Sequence, residues 1–187
     1  RIEELMVEVG DRVEAGQILA ALEHEMLDAQ VEGAQAGLAL ARAGDSTEAE
    51  LQFKKAIDID ATFAKALTNL GTFYLRQGNL DKGLFALRSA VRADSMDPIA
   101  CSNLGVALRR SGDINAALEM YLRALKLNPA RAIDHIHIAN IYYERHLFDD
   151  AYERFGKALD LDSTLTDARQ VREAMEASDQ LVRNKPR

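Results

Sequence analysis

The sequence has little of what stabilises small secreted or membrane-spanning proteins. Its 187 residues contain no tryptophan and a single cysteine, Cys101. One cysteine excludes an internal disulfide and suits a reducing compartment. No apolar run approaches the roughly 20 residues of a membrane span, and no signal peptide is visible. We therefore expect a cytoplasmic protein, with the periphery of a membrane or organelle as the alternative location.

Glycine, proline and aromatic residues are also scarce. There are 11 glycines and 3 prolines, and aromatic residues make up 6% of the chain. Alanine and leucine, which are strong helix formers, are abundant instead. The composition therefore predicts an all-α fold. The net charge of -7 provides no global basic field, so nucleic acid and anionic lipid are not expected as partners.

A period of 34 residues runs through the chain without an insertion. The period shows as a glycine column, then an Asp/Asn column, then a small residue and a large apolar residue. These columns are Gly10, Gly44, Gly78 and Gly112; Asp11, Asp45, Asn79 and Asp113; Ala15, Ala49, Gly83, Ala117 and Ala151; and Leu19, Phe53, Leu87, Tyr121 and Phe155. Glycine tolerates the left-handed backbone that ends a helix, and Asp caps the next helix. Each unit therefore predicts two closely packed helices.

These columns resemble the tetratricopeptide repeat (TPR). The resemblance implies a TPR solenoid, which is a right-handed superhelix of antiparallel helix pairs, with a C-terminal capping helix. We expect an incomplete N-terminal repeat, four full repeats, a polar capping helix and a frayed tail. The expected ranges are 1–28 for the incomplete repeat; 30–63, 64–97, 98–131 and 132–165 for the full repeats; 166–182 for the cap; and 183–187 for the tail.

Three residues depart from the pattern. Gly83 stands in the small-residue column where alanine is usual, which we expect to weaken its helix by up to ~1 kcal/mol. His146 and Leu147 occupy the last repeat's turn in place of Gly-Asp.

The stretch Val7–Met26, "VEVGDRVEAGQILAALEHEM", also resembles the first half of a biotinyl or lipoyl domain. Such a domain carries its cofactor on a lysine, but the first lysine of this chain is Lys54. Because Gly10 and Asp11 fall in the repeat register, we expect helices with a turn there. The same register places Arg1 inside a helix, so we expect the parent protein to extend upstream.

The spacing of the candidate metal ligands indicates packing or capping roles rather than metal binding. His135 and His137 lie two positions apart, so on a helix they point about 200° apart and cannot easily hold one ion. Asp58 and Asp60 lack the glycine and distal glutamate of a calcium loop. We expect no metal, no cofactor, no catalytic residue and no enzymatic activity.

The TPR resemblance implies that the first helix of each unit lines a concave ligand groove. The groove positions hold Arg42, Lys65, Asn69, Thr72, Arg76, Asn103, Arg109, Arg110, His137, Asn140 and Tyr143. Among them, Arg42, Arg76 and Arg110 recur at the repeat spacing. They form either a ladder for an acidic ligand or cations that complement helix C-termini.

We interpret the chain as a protein-interaction scaffold. It is expected to bind a peptide or partner protein of acidic character in the groove and to assemble a multiprotein complex. The alternative is a self-assembling structural protein that associates through its N-terminal end. The stretch Asp81–Asp94, "DKGLFALRSAVRAD", is similar to the magnetosome-associated TPR proteins. This similarity implies a protein coat formed by self-assembly. The simple turns are typical of bacterial repeats.

Overall fold

A computed structural model describes residues 31, 33–35, 37–38 and 46–183, and none of these residues forms a strand. The residues described between 31 and 38 are helical. Eight further helices follow: α1 (Ser46–Ile59), α2 (Ala64–Arg76), α3 (Leu80–Ala93), α4 (Pro98–Arg110), α5 (Ile114–Leu127), α6 (Ala132–Glu144), α7 (Phe148–Leu161) and α8 (Thr166–Arg183). The prediction of an all-α solenoid is confirmed. The predicted repeat at 1–28, with its Gly10–Asp11 turn, and Arg42 lie outside the described residues.

The helices stack as a solenoid of pairs. The largest contacts join α2 to α3, α4 to α5 and α6 to α7, and smaller contacts then join each pair to the next. We call α2, α4, α6 and α8 the A helices, and α1, α3, α5 and α7 the B helices. The A helices α2 and α4 also touch each other directly. Side chains of consecutive A helices therefore lie next to one another.

The turns between paired helices follow the glycine and Asp/Asn columns. Gly78 and Gly112 have φ angles of 76° and 89°, in the left-handed region that favours glycine. The next side chain caps the B helix: Asn79 accepts a hydrogen bond from the Lys82 N–H, and Asp113 accepts one from the Ala116 N–H. These bonds satisfy N–H groups that lack a partner within the helix. The predicted role of the two columns is confirmed at these four positions, while Gly10, Asp11, Gly44 and Asp45 lie outside the described residues.

The core lies between the A and B layers. Phe53, Tyr121 and Phe155 fill it and are 1% exposed. Gly83 shows why one repeat lacks the usual alanine, because a Cβ at this position would lie 2.7 Å from Leu75 Cδ2. The Leu75 side chain therefore occupies the space that an alanine methyl group would need. Helix propensity alone, which guided the expectation for Gly83, does not include this contact.

Helix α8 packs against the preceding helix pair, α6 and α7. Ala168 is buried, and Val171 and Met175 pack against the cluster around Ala139 and Phe155. The Arg172 guanidinium lies over the Tyr152 ring, 4.7 Å from its centroid. Within the described part of the chain, no helix is long and apolar enough to cross a bilayer.

Candidate ligand groove

The A helices carry five of the predicted polar groove residues at two repeat positions that lie one helical turn apart. Asn69, Thr72, Asn103, His137 and Asn140 are all half-buried. The Asn103 amide donates to the Thr72 hydroxyl at 3.2 Å and so links α4 to α2. The Thr72 hydroxyl in turn donates to the Thr68 carbonyl at 2.9 Å. We call these five half-buried residues the A-row.

The predicted arginine ladder is partly engaged within the protein. Arg76 is exposed and forms no ion pair with a described residue. Arg110 donates from Nη1 to the Leu75 carbonyl oxygen at 2.9 Å, in the last turn of α2. This bond has the geometry of the helix-end alternative, because cations favour the negative end of a helix. It also leaves most of the five guanidinium N–H donors of Arg110 available.

The remaining predicted cations differ in their surroundings. Lys65 is exposed near the start of α2, and no described residue pairs with it. Arg109 forms an ion pair with Glu144 of the next A helix. The positive charge that remains uncompensated among the described groove positions is therefore concentrated at Lys65, Arg76 and Arg110.

His137 contributes a neutral group to the A-row. Its imidazole stacks on the Tyr121 ring, with 4.7 Å between centroids and an angle of 25°. Burial lowers the pKa of His137 below the ordinary value of 6.5, against the opposing effect of the Asp134 carboxylate. The ring is consequently neutral near pH 7, and a neutral imidazole offers one donor and one acceptor.

His135 lies apart from His137, in the core. Its Nε2 is 3.4 Å from the Pro129 carbonyl oxygen, and burial lowers its pKa. No group of three or more potential metal-ligating residues occurs among the described residues.

Tyr143 lies at the end of α6, in an exposed aromatic cluster at the α6–α7 turn. Its ring is 5.5 Å from that of Phe148, and His146 stands 5.7 Å from the same ring. Tyr143, Leu147 and Phe148 are each nearly half exposed. The structure therefore places Tyr143 with the turn rather than with the A-row amides.

One buried polar group was missed by the sequence analysis. Asp134 is fully buried and accepts hydrogen bonds from the Ser102 hydroxyl and from Arg131 Nε, the latter at 2.5 Å. It joins α6 to α4 through the bond to Ser102. The corresponding positions of the two preceding repeats and of the last helix hold Ala66, Ala100 and Ala168, whereas the first full repeat holds Glu32. An aspartate at a position that alanine fills in the adjoining units indicates a buried partner.

Comparisons with known proteins identify the same repeat. Two family models, both described as tetratricopeptide repeat, match residues 53–85 and 98–130. Protein bimA of Emericella nidulans is 32% identical over 119 residues, which are 62% of this chain and 15% of that protein. The probable UDP-N-acetylglucosamine–peptide N-acetylglucosaminyltransferase SPINDLY of Hordeum vulgare is 32% identical over 113 residues, 57% of this chain and 12% of that protein. The chain thus spans less than a sixth of these relatives.

Solved structures share the fold. PilF of Pseudomonas aeruginosa aligns with a TM-score of 0.78 at 20% identity, covering 83% of this chain and 71% of its own. MamA aligns with a TM-score of 0.69 at 23% identity, covering 78% and 85%. YrrB, a TPR protein with an unusual peptide-binding site, aligns with a TM-score of 0.66 at 20% identity, covering 89% and 84%. Residues 53–85 and 98–130 are thus tetratricopeptide repeats, modules whose general role is protein interaction, and the described helices share the fold of solved proteins of this kind.

Proposed function

We propose that this chain is a scaffold that binds a peptide or partner-protein segment along its A helices and so assembles a multiprotein complex. The A-row is the observation that supports this function. Five half-buried polar side chains follow one another across α2, α4 and α6. Half-buried polar groups on a continuous surface can exchange water for a ligand without rearrangement of the fold.

The chemistry of the A-row suits the backbone of a bound segment. An asparagine amide has two N–H donors and one carbonyl acceptor. Asn103 uses one donor on Thr72, which fixes its orientation and leaves the other donor and the acceptor for a ligand. Asn69 and Asn140 repeat this side chain on α2 and α6. Such groups form hydrogen bonds with the backbone of a peptide, independently of the peptide's side chains.

We further propose that the part of the ligand nearest α2 is acidic. Lys65 and Arg76 are exposed on α2, and the Arg110 guanidinium is bonded to Leu75, the neighbour of Arg76. This contact brings the Arg110 guanidinium to the backbone of the residue before Arg76, at the C-terminal end of α2. Arg42, which lies outside the described residues, would extend the line by one repeat.

The test is the affinity of the Arg76→Ala/Arg110→Ala variant for a glutamate-rich peptide, with the glutamine-substituted peptide as reference. Loss of two exposed contacts should weaken binding by roughly tenfold or less and flatten its salt dependence. The matched control is Arg88→Ala/Arg92→Ala, which removes the same charge from exposed positions of α3, a B helix. Equal weakening by both variants would show that net charge, not the groove, attracts the peptide.

Self-assembly through the N-terminal end is the second candidate function. It is motivated by the apolar residues Ile2, Leu5, Met6 and Val9, which recur at helical spacing in the first repeat. They lie outside the described residues. Light scattering with and without residues 1–28 tests this candidate, because strictly monomeric behaviour of both chains would exclude it.

A further inference from the structure

The groove changes character at its C-terminal end. Between α6 and α8 it opens into a cavity of about 380 Å³. The cavity wall is largely apolar, with Ile133, Ile136, Phe155, Leu165, Ala168 and Val171. Its volume lies at the lower end of the ~300–1,000 Å³ typical of ligand pockets. It therefore has room for an aliphatic side chain together with part of the segment that carries it.

The preceding step of the array shows why this cavity exists. Between α4 and α6, Asp134 occupies the repeat position of Ala168 and is bonded to Ser102. At that step His137 occupies the position of Val171, and its ring is stacked on Tyr121. Shorter apolar residues therefore replace two larger side chains that fill this space one repeat earlier. The contacts that Asp134 makes with Ser102 and that His137 makes with Tyr121 have no counterpart between α6 and α8.

Four polar residues also line the cavity, Asn140, Thr164, Thr166 and Asp167, and two of them indicate what else a ligand would present. Asn140 belongs to the A-row and also lines the cavity, so a backbone held by the A-row reaches it directly. Asp167 is the only charged residue among the described residues that line the cavity. It is exposed and forms no ion pair with a described residue. The exposed carboxylate favours a cationic neighbour.

We propose that this cavity binds a leucine- or methionine-sized side chain of the bound segment, directly next to a lysine or arginine that contacts Asp167. The proposal rests on the proposed function, because the segment must run along the A helices. It gives the ligand a direction: its acidic part lies on α2, and its aliphatic-basic part lies between α6 and α8. Apolar walls exclude water from the aliphatic group, while the charge pair remains at the rim.

Methyl NMR of the full chain provides the test, with isoleucine δ1 methyl groups labelled. The probe is the peptide Ser-Ala-Ala-Leu-Lys-Ala-Ser, compared with versions in which serine replaces its leucine or glutamate replaces its lysine. The parent peptide should shift the methyl signals of Ile133 and Ile136 saturably. The serine version should leave them unmoved, and the glutamate version should bind several-fold more weakly. The proposal is overturned if the parent peptide does not move these signals.

Protein variants separate this cavity from the rest of the groove. Val171→His restores the residue type of the preceding repeat and should abolish the shift of Ile136, whereas Leu122→His on α5 should not. Ile133→Glu, at a position that is 46% exposed, should also abolish binding without unfolding the chain. Retained binding by both cavity variants would contradict the proposal. If binding of the glutamate-rich peptide is still weakened by the Arg76→Ala/Arg110→Ala variant, only the cavity proposal is refuted. If that variant also binds as well as the parent chain, the proposed function is refuted too.

Discussion

At the scale of single residues, two glycines of the B helices have opposite reasons to be glycine. A Cβ at Gly83 would meet Leu75 Cδ2 at 2.7 Å and the Gly71 carbonyl oxygen at 3.3 Å. A Cβ at Gly156 would meet only the Arg172 guanidinium, at 3.6 Å. Close packing therefore requires glycine at Gly83, whereas nothing in the described surroundings requires it at Gly156.

This contrast predicts that the same substitution changes stability in opposite directions. Gly83→Ala should destabilise the chain by about 1–3 kcal/mol, because overpacking displaces the buried Leu75 side chain. Gly156→Ala should stabilise it by up to ~1 kcal/mol through helix propensity. Urea unfolding followed by circular dichroism measures both. Stabilisation by Gly83→Ala would show that Leu75 moves aside without cost.

The buried histidines predict how stability depends on pH. Burial lowers the pKa of both His135 and His137, so the folded chain binds fewer protons than the unfolded chain in acid. Their contribution is therefore fully present above about pH 6.5 and is lost as the pH falls below it. His137→Asn, which introduces the residue found at position 103, should reduce this loss. Unfolding midpoints above and below about pH 6.5 provide the check, and an unchanged pH dependence would contradict the account.

At the scale of helices, the sequence predicts the paired elements well because their ends are encoded locally. Gly78-Asn79 and Gly112-Asp113 have the turn geometry that their residue types require. The His146-Leu147 turn reaches the same geometry without those residues, with His146 at a φ of 60°. Backbone hydrogen bonds from His146 N–H to Tyr143 and from Leu147 N–H to Tyr142 hold it. The backbone hydrogen bonds of the glycine turns therefore form here as well, without the Gly-Asp or Gly-Asn pair.

The side-chain contacts of the groove were less predictable. The repeat spacing places Arg109 and Arg110 beside neighbouring A helices, but it does not select their partners. Arg109 extends forward to Glu144, and Arg110 extends back to the Leu75 carbonyl. These contacts depend on side-chain rotamers and on the stagger between helices, neither of which a column of residue types encodes.

The contact between α4 and α6 gives a prediction at this scale. Asp134→Ala should cost about 2–4 kcal/mol, because it leaves Arg131 and the Ser102 hydroxyl without their buried acceptor. Arg131→Leu/Asp134→Ala, which copies Leu165 and Ala168 of the next repeat, should cost less than the single change. Thermal and urea unfolding decide this. A double variant less stable than Asp134→Ala would contradict the interpretation that an unpaired cation accounts for the loss.

At the scale of the whole molecule, the solenoid converts a one-dimensional sequence pattern into a surface. Each repeat contacts mainly its neighbours, so equivalent positions of successive A helices form continuous rows. Along this surface Lys65, Arg76 and Arg110 lie on α2 and α4, while the apolar cavity with Asp167 lies between α6 and α8. A ligand that spans the groove therefore meets a different chemistry at each end, although the chain carries a net charge of -7.

The central claim is that the A helices, and not the B helices, form the recognition surface. It is tested most directly by placing a photocrosslinking amino acid at Asn69 or Asn103, and in separate chains at Arg88 or Leu122. Each chain is irradiated with a peptide selected against the full protein from a displayed random library. The account predicts crosslinks from the two A-helix positions and none from the two B-helix positions. Crosslinks from Arg88 and Leu122 alone would contradict it.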